Sequence, residues 1–130
     1  MPRPIYAEID LDALRHNLNV LRERAEGRTV WAVVKANAYG HGLEIAVKAF
    51  EAADGLATID LCDAERARRC GWKKRILLLE GFFDETDIEP LQTIGVETVI
   101  HSPWQIEILK RMNPKDVRCH IKVNSGMNRL

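Results

Sequence analysis

Two stretches carry side chains whose types could do chemistry. The first is TVWAVVKANAYGHG, Thr29 to Gly42. Five apolar residues run straight into Lys35, and Tyr39 follows four positions later among small residues and glycines. The second is HIKVNSGMNRL at the end of the chain, where Lys122 and Arg129 flank a turn around Gly126. A lysine at the end of an apolar strand is partly desolvated, which disfavours its ammonium form. The neutral amine can attack an aldehyde to form a Schiff base, or take a proton from an acidic C–H. A compact amine on a flexible stem suits both tasks, whereas arginine suits neither.

Tyr39 reads either as an anchor of its loop or as a ligand whose hydroxyl could reach a phosphate near the start of the next helix, a favourable place for an anion. The glycines of YGHG let a backbone come close to a ligand. Arg129 can donate to an anionic oxygen in the same mouth as Lys35. Lys122 and Arg129 in one pocket repel each other unless an anion lies between them. The remaining titratable residues carry less. His16, His101 and His120 show no metal-ligand spacing, and His41 between two glycines reads as a turn residue. The P-loop pattern G-x-x-x-x-G-K-[ST] is absent.

These residues need elements to position them, and the chain alternates helix with strand. DLDALRHNLNVLRERAEG sets Leu11, Leu14, Leu18 and Leu21 on one helical stripe, with Asp10 as its cap and Gly27 at its end. TVWAVV has no polar alternation and is rich in β-branched residues, as in a strand buried on both faces of a parallel sheet. Leu43, Ala46, Val47 and Phe50 form a second helical stripe. The cycle then continues through the strands GLATID, RILLLEG, ETVIHS and VRCHIKVNSG. Between them lie helices around CDAERARRCGW, ETDIEPLQTIG and PWQIEILKRM. Ser102 and Pro103 form an N-cap and first-turn pair, and Asn113-Pro114 stops that helix.

Strands that recur roughly every 20 to 25 residues imply βα units, a parallel sheet and helices outside it. Both an open doubly wound sheet and a (β/α)8 barrel fit. No strand is followed by the dinucleotide fingerprint G-x-G-x-x-G, which weakens the open-sheet reading. A complete barrel takes about 250 residues. Residues 1–130 are therefore expected to be the front part of a longer barrel protein, about five βα units of it.

Composition narrows the function classes. Lysine plus arginine and aspartate plus glutamate each number 19, so net charge gives no reason to expect nucleic acid or an anionic membrane as partner. The longest aliphatic run, Ile76 to Leu79, is far short of a membrane span. MPRPIYAEID has no apolar signal core. The widely spaced Cys62, Cys70 and Cys119 form no C-x-x-C pair and read as reduced thiols, so a cytoplasmic protein is expected.

AVVKANAYGHG resembles the cofactor-attachment motif of bacterial alanine racemases, and KVNSGMNRL resembles a second motif of that family. RILLLEGFF, VIHS and the opening AEIDLDALRHNLNVLR are also similar, so the resemblance covers essentially the whole chain. It implies an α/β fold of the (β/α)8 TIM-barrel type, incomplete in this chain, with the rest of the barrel and a β-rich C-terminal domain beyond it. It implies pyridoxal 5′-phosphate as cofactor, L- and D-alanine as substrates, two opposed catalytic bases, and a homodimer in the full-length protein.

Lys35 matches the lysine that holds the cofactor and is also one of the two bases. Tyr39 matches the tyrosine at the phosphate. Arg129 matches the arginine that bonds the cofactor's phenolic oxygen and lies near the substrate. Lys122 matches a lysine often carbamylated in the family; a carbamate would reverse its charge and pair it with Arg129. The second base, a tyrosine of the partner subunit's C-terminal domain, matches nothing in this chain, so the chain alone is expected to be inactive or nearly so.

Many family members have Asp-Thr-Gly or Asp-Ser-Gly where this chain has Asn124-Ser125-Gly126. That change is expected to tune the turn rather than abolish function. The rival readings are another barrel-type pyridoxal enzyme (an amino-acid decarboxylase or a D-amino-acid lyase), a non-catalytic pyridoxal-phosphate carrier, and a truncated product without cofactor.

Overall fold

The computed structural model describes residues 3–130. Helix α1 (Leu11–Arg24) starts where Asp10 accepts hydrogen bonds from the Asp12 and Ala13 amides. Strand β1 (Trp31–Val33) follows, then a single turn, α2 (Lys35–Tyr39), and helix α3 (Leu43–Ala49). Next come β2 (Gly55–Thr58), α4 (Leu61–Arg69), β3 (Arg75–Leu78), a 3-10 turn (Glu85–Asp87) and α5 (Ile88–Ile94). The chain continues through β4 (Glu97–Ile100), α6 (Pro103–Met112) and β5 (Cys119–Ile121). Ser102 and Gln105 close a capping box at α6, and Asn113 ends that helix in a left-handed conformation.

The five strands are all parallel and lie in the order β1-β2-β3-β4-β5. This order decides between the two architectures. A doubly wound sheet reverses its strand order at a switch point. Here each connection advances one strand in the same direction, and right-handed crossovers then put every helix on one face. The sheet is an arc of a (β/α)8 barrel.

The two faces follow from strand alternation. Ala32, Leu56, Ile76, Leu78 and Ile100 point outward and join Leu43, Ala46, Ala64 and Leu91 of the helices in the main core. Ala57, Leu77 and Val99 point inward and form a smaller cluster with Trp31 and Leu79. Fully burying a leucine or isoleucine is worth roughly 1.5–3 kcal/mol, so the helical layer holds the arc together.

Burial on both faces, expected for the first strand, holds for β2 and β4, where every residue is buried. It does not hold for β1, whose Val33 is exposed, nor for β5, whose Ile121 is 83% exposed. These two strands are the edges of the arc, each paired on one side only. The α1 stripe is likewise only partly buried: Leu18 is in the core, whereas Leu21 is exposed.

Gly81 is required by its surroundings. Its φ is +76°, and a Cβ there would lie 2.3 Å from the Val99 carbonyl oxygen and 2.6 Å from Gln105 Nε2. The carbonyl belongs to a central strand and cannot move aside. Gly81→Ala is expected to cost roughly 3 kcal/mol, combining left-handed strain with the clash. A fall in the urea midpoint measures it, and an unchanged midpoint would show that the β3–α5 loop accommodates a methyl group.

Candidate active site

Lys35 stands two residues beyond β1, at the carboxyl end of the sheet, where ligands sit in βα folds. It is half-buried. It lines a concavity of about 350 Å³ that Lys122 and Arg129 also line. Leu79, Val99 and His120 of neighbouring strands provide its inner walls. Strand register explains the convergence. Val33 pairs with Ala57, Ala57 with Leu77, Leu77 with Glu97, and Val99 with His120. Continuing each strand by one pleat brings the residues after β1 and β5 to one rim of the arc.

The turn after Lys35 is left-handed. Ala36, Asn37, Ala38 and Tyr39 all have φ between 52° and 55°. Gly40 caps the turn at φ +87°, where glycine carries no Cβ penalty. The Tyr39 side chain, 61% exposed, lines a separate and smaller hollow with Val33 and His41. The structure therefore brings Lys35, Lys122 and Arg129 together and places Tyr39 outside their concavity. His41 is a turn residue, its Nδ1 lying 2.9 Å from the Ala38 carbonyl oxygen.

At the other end of the site, Asn124 Oδ1 accepts hydrogen bonds from the Gly126 and Asn128 amides, at 3.1 and 3.0 Å. An aspartate could accept both. Asn124 Nδ2 also donates to Asn128 Oδ1, at 2.9 Å, which an aspartate could not do. The turn that presents Arg129 is therefore built by the uncharged side chain.

Sequence reasoning missed the group beneath the site. Glu97 is buried at the start of β4 on the inner face. Arg75 holds it through two bonds of 2.6 and 2.7 Å, Arg118 donates at 3.0 Å, and His120 Nε2 lies at 2.6 Å. The Arg75 guanidinium stacks on Trp31, 4.6 Å from the ring centroid. Gly55 makes room for that ring, since a Cβ there would lie 2.3 Å from it. Burial pushes the Glu97 carboxyl up, but the hydrogen bonds from Arg75 and His120 and the charges of Arg75 and Arg118 outweigh it and hold it at about 2. Charged residues opening the strand runs RILL and ETVI were the available signal.

Arg68 was missed as well. Its guanidinium donates to the carbonyls of Ile94, Trp72, Lys74 and Gly95, tying α4 to the approaches of β3 and β4. Among the described residues, no group of histidine, cysteine and acidic side chains could hold a metal ion. Cys62, Cys70 and Cys119 are free and exposed.

The donor set fits pyridoxal 5′-phosphate. A half-buried primary amine for the aldehyde, the Arg129 guanidinium for an anionic oxygen and aliphatic walls share a space of ligand-binding size.

Comparison with known proteins identifies the family. Residues 9–130 match the family model described as alanine racemase, N-terminal domain. The chain belongs to the alanine racemase N-terminal domain family. An alanine racemase from Janthinobacterium sp. (strain Marseille) is 53% identical over 131 aligned positions, covering 100% of this chain and 36% of that protein. A catabolic alanine racemase from Salmonella typhimurium is 49% identical, covering 100% of this chain and 37% of that protein.

Among solved structures, the alanine racemase from Acinetobacter baumannii superposes with a TM-score of 0.89 at 34% identity, covering 94% of this chain and 35% of that one. The biosynthetic enzyme from Pseudomonas aeruginosa gives 0.85 at 38% identity, with the same coverage of both chains. The chain thus spans about a third of the length of the relatives it matches. Among the described residues, no helix is long and apolar enough to cross a membrane.

Proposed function

We propose that this chain is the cofactor-attachment part of an alanine racemase that interconverts L- and D-alanine. The observation that carries this reading is the meeting of Lys35 with Arg129 and Lys122 in one concavity at the carboxyl end of the sheet. Pyridoxal 5′-phosphate, when bound, supplies an electron sink that makes the hydrogen on the substrate's α-carbon acidic. Lys35 Nζ would hold the cofactor covalently in the resting state and, released when the substrate's amine takes its place, would take or return a proton at that carbon on one face. Arg129 would donate to the cofactor's phenolic oxygen and lie near the substrate. Tyr39 lies in a separate hollow and would have to swing across the turn to reach the phosphate. Lys122 carries a carbamate that pairs with Arg129, which an intact-mass measurement checks.

Racemisation needs a second base on the opposite face. Among the described residues none is assigned that role; in this reading a partner subunit of a cytoplasmic homodimer supplies it, and the chain alone is inactive. The apolar strand ends and the half-buried position of Lys35 restrict the access of water to its amine.

The test is chemical trapping. Pyridoxal 5′-phosphate is added, the adduct is reduced with borohydride, and the labelled peptide is mapped. Label is expected on Lys35. Label spread over the surface lysines, or concentrated on Lys122, would overturn the assignment.

A further inference from the structure

The turn that aims Lys35 is strained. For a non-glycine residue the left-handed conformation costs about 1–2 kcal/mol, and Ala36, Asn37, Ala38 and Tyr39 adopt it in succession. Such a segment persists only where its surroundings over-determine it. Part of the support is local. The Gly42 amide donates to the Asn37 carbonyl at 3.0 Å, and the Leu43 amide, at the start of α3, donates to Asn37 Oδ1 at 3.0 Å.

Further support comes from α4, 29 residues along the chain. Arg66 Nη2 donates to the same Asn37 Oδ1 at 3.2 Å. That guanidinium is itself oriented by two carboxylates, through Nη2 to Glu44 of α3 at 2.8 Å and Nη1 to Asp63 of α4 at 3.0 Å. One planar fork therefore joins α4, α3 and the lysine turn. A lysine ammonium, a single point of charge, cannot reproduce that spread of directions.

We propose that Arg66 is a positioning residue for Lys35: oriented by Asp63 and Glu44, it fixes Asn37 and so holds the strained turn that aims the amine into the concavity. The proposal rests on the reading of Lys35 as the cofactor-bearing lysine. Arg66 touches neither substrate nor cofactor and acts through Asn37.

The test compares the intact protein with Arg66→Ala, Arg66→Lys and, as a control on the same helix, the exposed Arg69→Ala. Two quantities are read. One is backbone amide exchange at Leu43, relative to Ala64 in the buried face of α4. The other is the rate at which pyridoxal 5′-phosphate forms the borohydride-trapped adduct at Lys35. A hydrogen bond from a charged group supports, for Arg66→Ala, a rise of about tenfold in exchange at Leu43 relative to Ala64 and a fall of about tenfold in the adduct rate. Arg66→Lys is expected to fall between it and the parent, and Arg69→Ala to match the parent.

A merely structural role would raise exchange at Ala64 as much as at Leu43. That result, or Arg66→Ala behaving like Arg69→Ala in both readouts, would overturn the proposal. If Arg66→Ala does not fold, Arg66→Lys carries the comparison. If the parent itself forms no adduct at Lys35, the reading of the lysine fails. The ratio of exchange at Leu43 to that at Ala64 still decides whether Arg66 holds the turn.

Discussion

Alanine at position 35 is expected to reduce turnover of both alanine enantiomers by at least about a thousandfold in the intact protein, since removing a covalent attachment point that is also a base affects more than one step. No neighbour can substitute. Lys122, the other lysine of the concavity, follows β5 at the far edge of the arc from β1. The variant should remain folded, because Lys35 is half-buried and belongs to neither hydrophobic cluster. Initial rates in both directions, with a melting curve as control, measure the effect. A small added amine such as methylamine should restore part of the activity if the missing group is the amine itself. Normal turnover of either enantiomer in Lys35→Ala would remove the basis of the proposed function.

The largest expected pH-dependent effect on stability belongs to Glu97. Removing the buried acceptor of charge-assisted hydrogen bonds, whose donors are partly exposed and regain water, is expected to cost about 2–3 kcal/mol. Glu97→Ala leaves Arg75, Arg118 and His120 without their common acceptor. It also frees Arg75 from the geometry that stacks it on Trp31.

The effect depends on pH in a defined direction. The folded carboxyl titrates at about 2, against 4.5 for an unperturbed glutamate. A depressed folded value means stabilisation that is complete above pH 4.5 and is lost as pH falls towards 2. That shift corresponds to ~3 kcal/mol. Urea titrations of parent and variant should therefore differ most at pH 7 and converge progressively between about pH 5 and pH 2. Equal midpoints at pH 7, or a gap that persists unchanged at pH 2, would show that the cluster does not stabilise the fold.

Much of the architecture was legible because it depends on local chemistry. Asp10, Ser102-Pro103 and Asn113 bound their helices by satisfying or removing backbone donors, whatever the helices pack against. Lys35 was singled out by the resemblance of its motif to a known family, since an apolar run ending in a lysine is by itself an ordinary strand end. The Glu97 cluster was not legible, since Trp31, Gly55, Arg75, Glu97 and His120 are spread over almost ninety positions and meet only through strand register. Nor was the place of Tyr39, four residues after Lys35 yet lining a different hollow, because sequence spacing does not reveal a left-handed turn.

The amino-acid sequence by itself determined that βα units repeat, where helices begin and end, and which amine and which cations could meet an anionic ligand. Those properties reside in side-chain type and in periodicities of a few residues. Only the tertiary structure decided that the strands lie in unbroken sequential order, that Lys35, Lys122 and Arg129 share one concavity, and that a buried carboxylate with three basic partners lies beneath it. The reason is physical: hydrogen bonding between parallel strands sets which distant residues share a face, and that choice is made by the sheet as a whole.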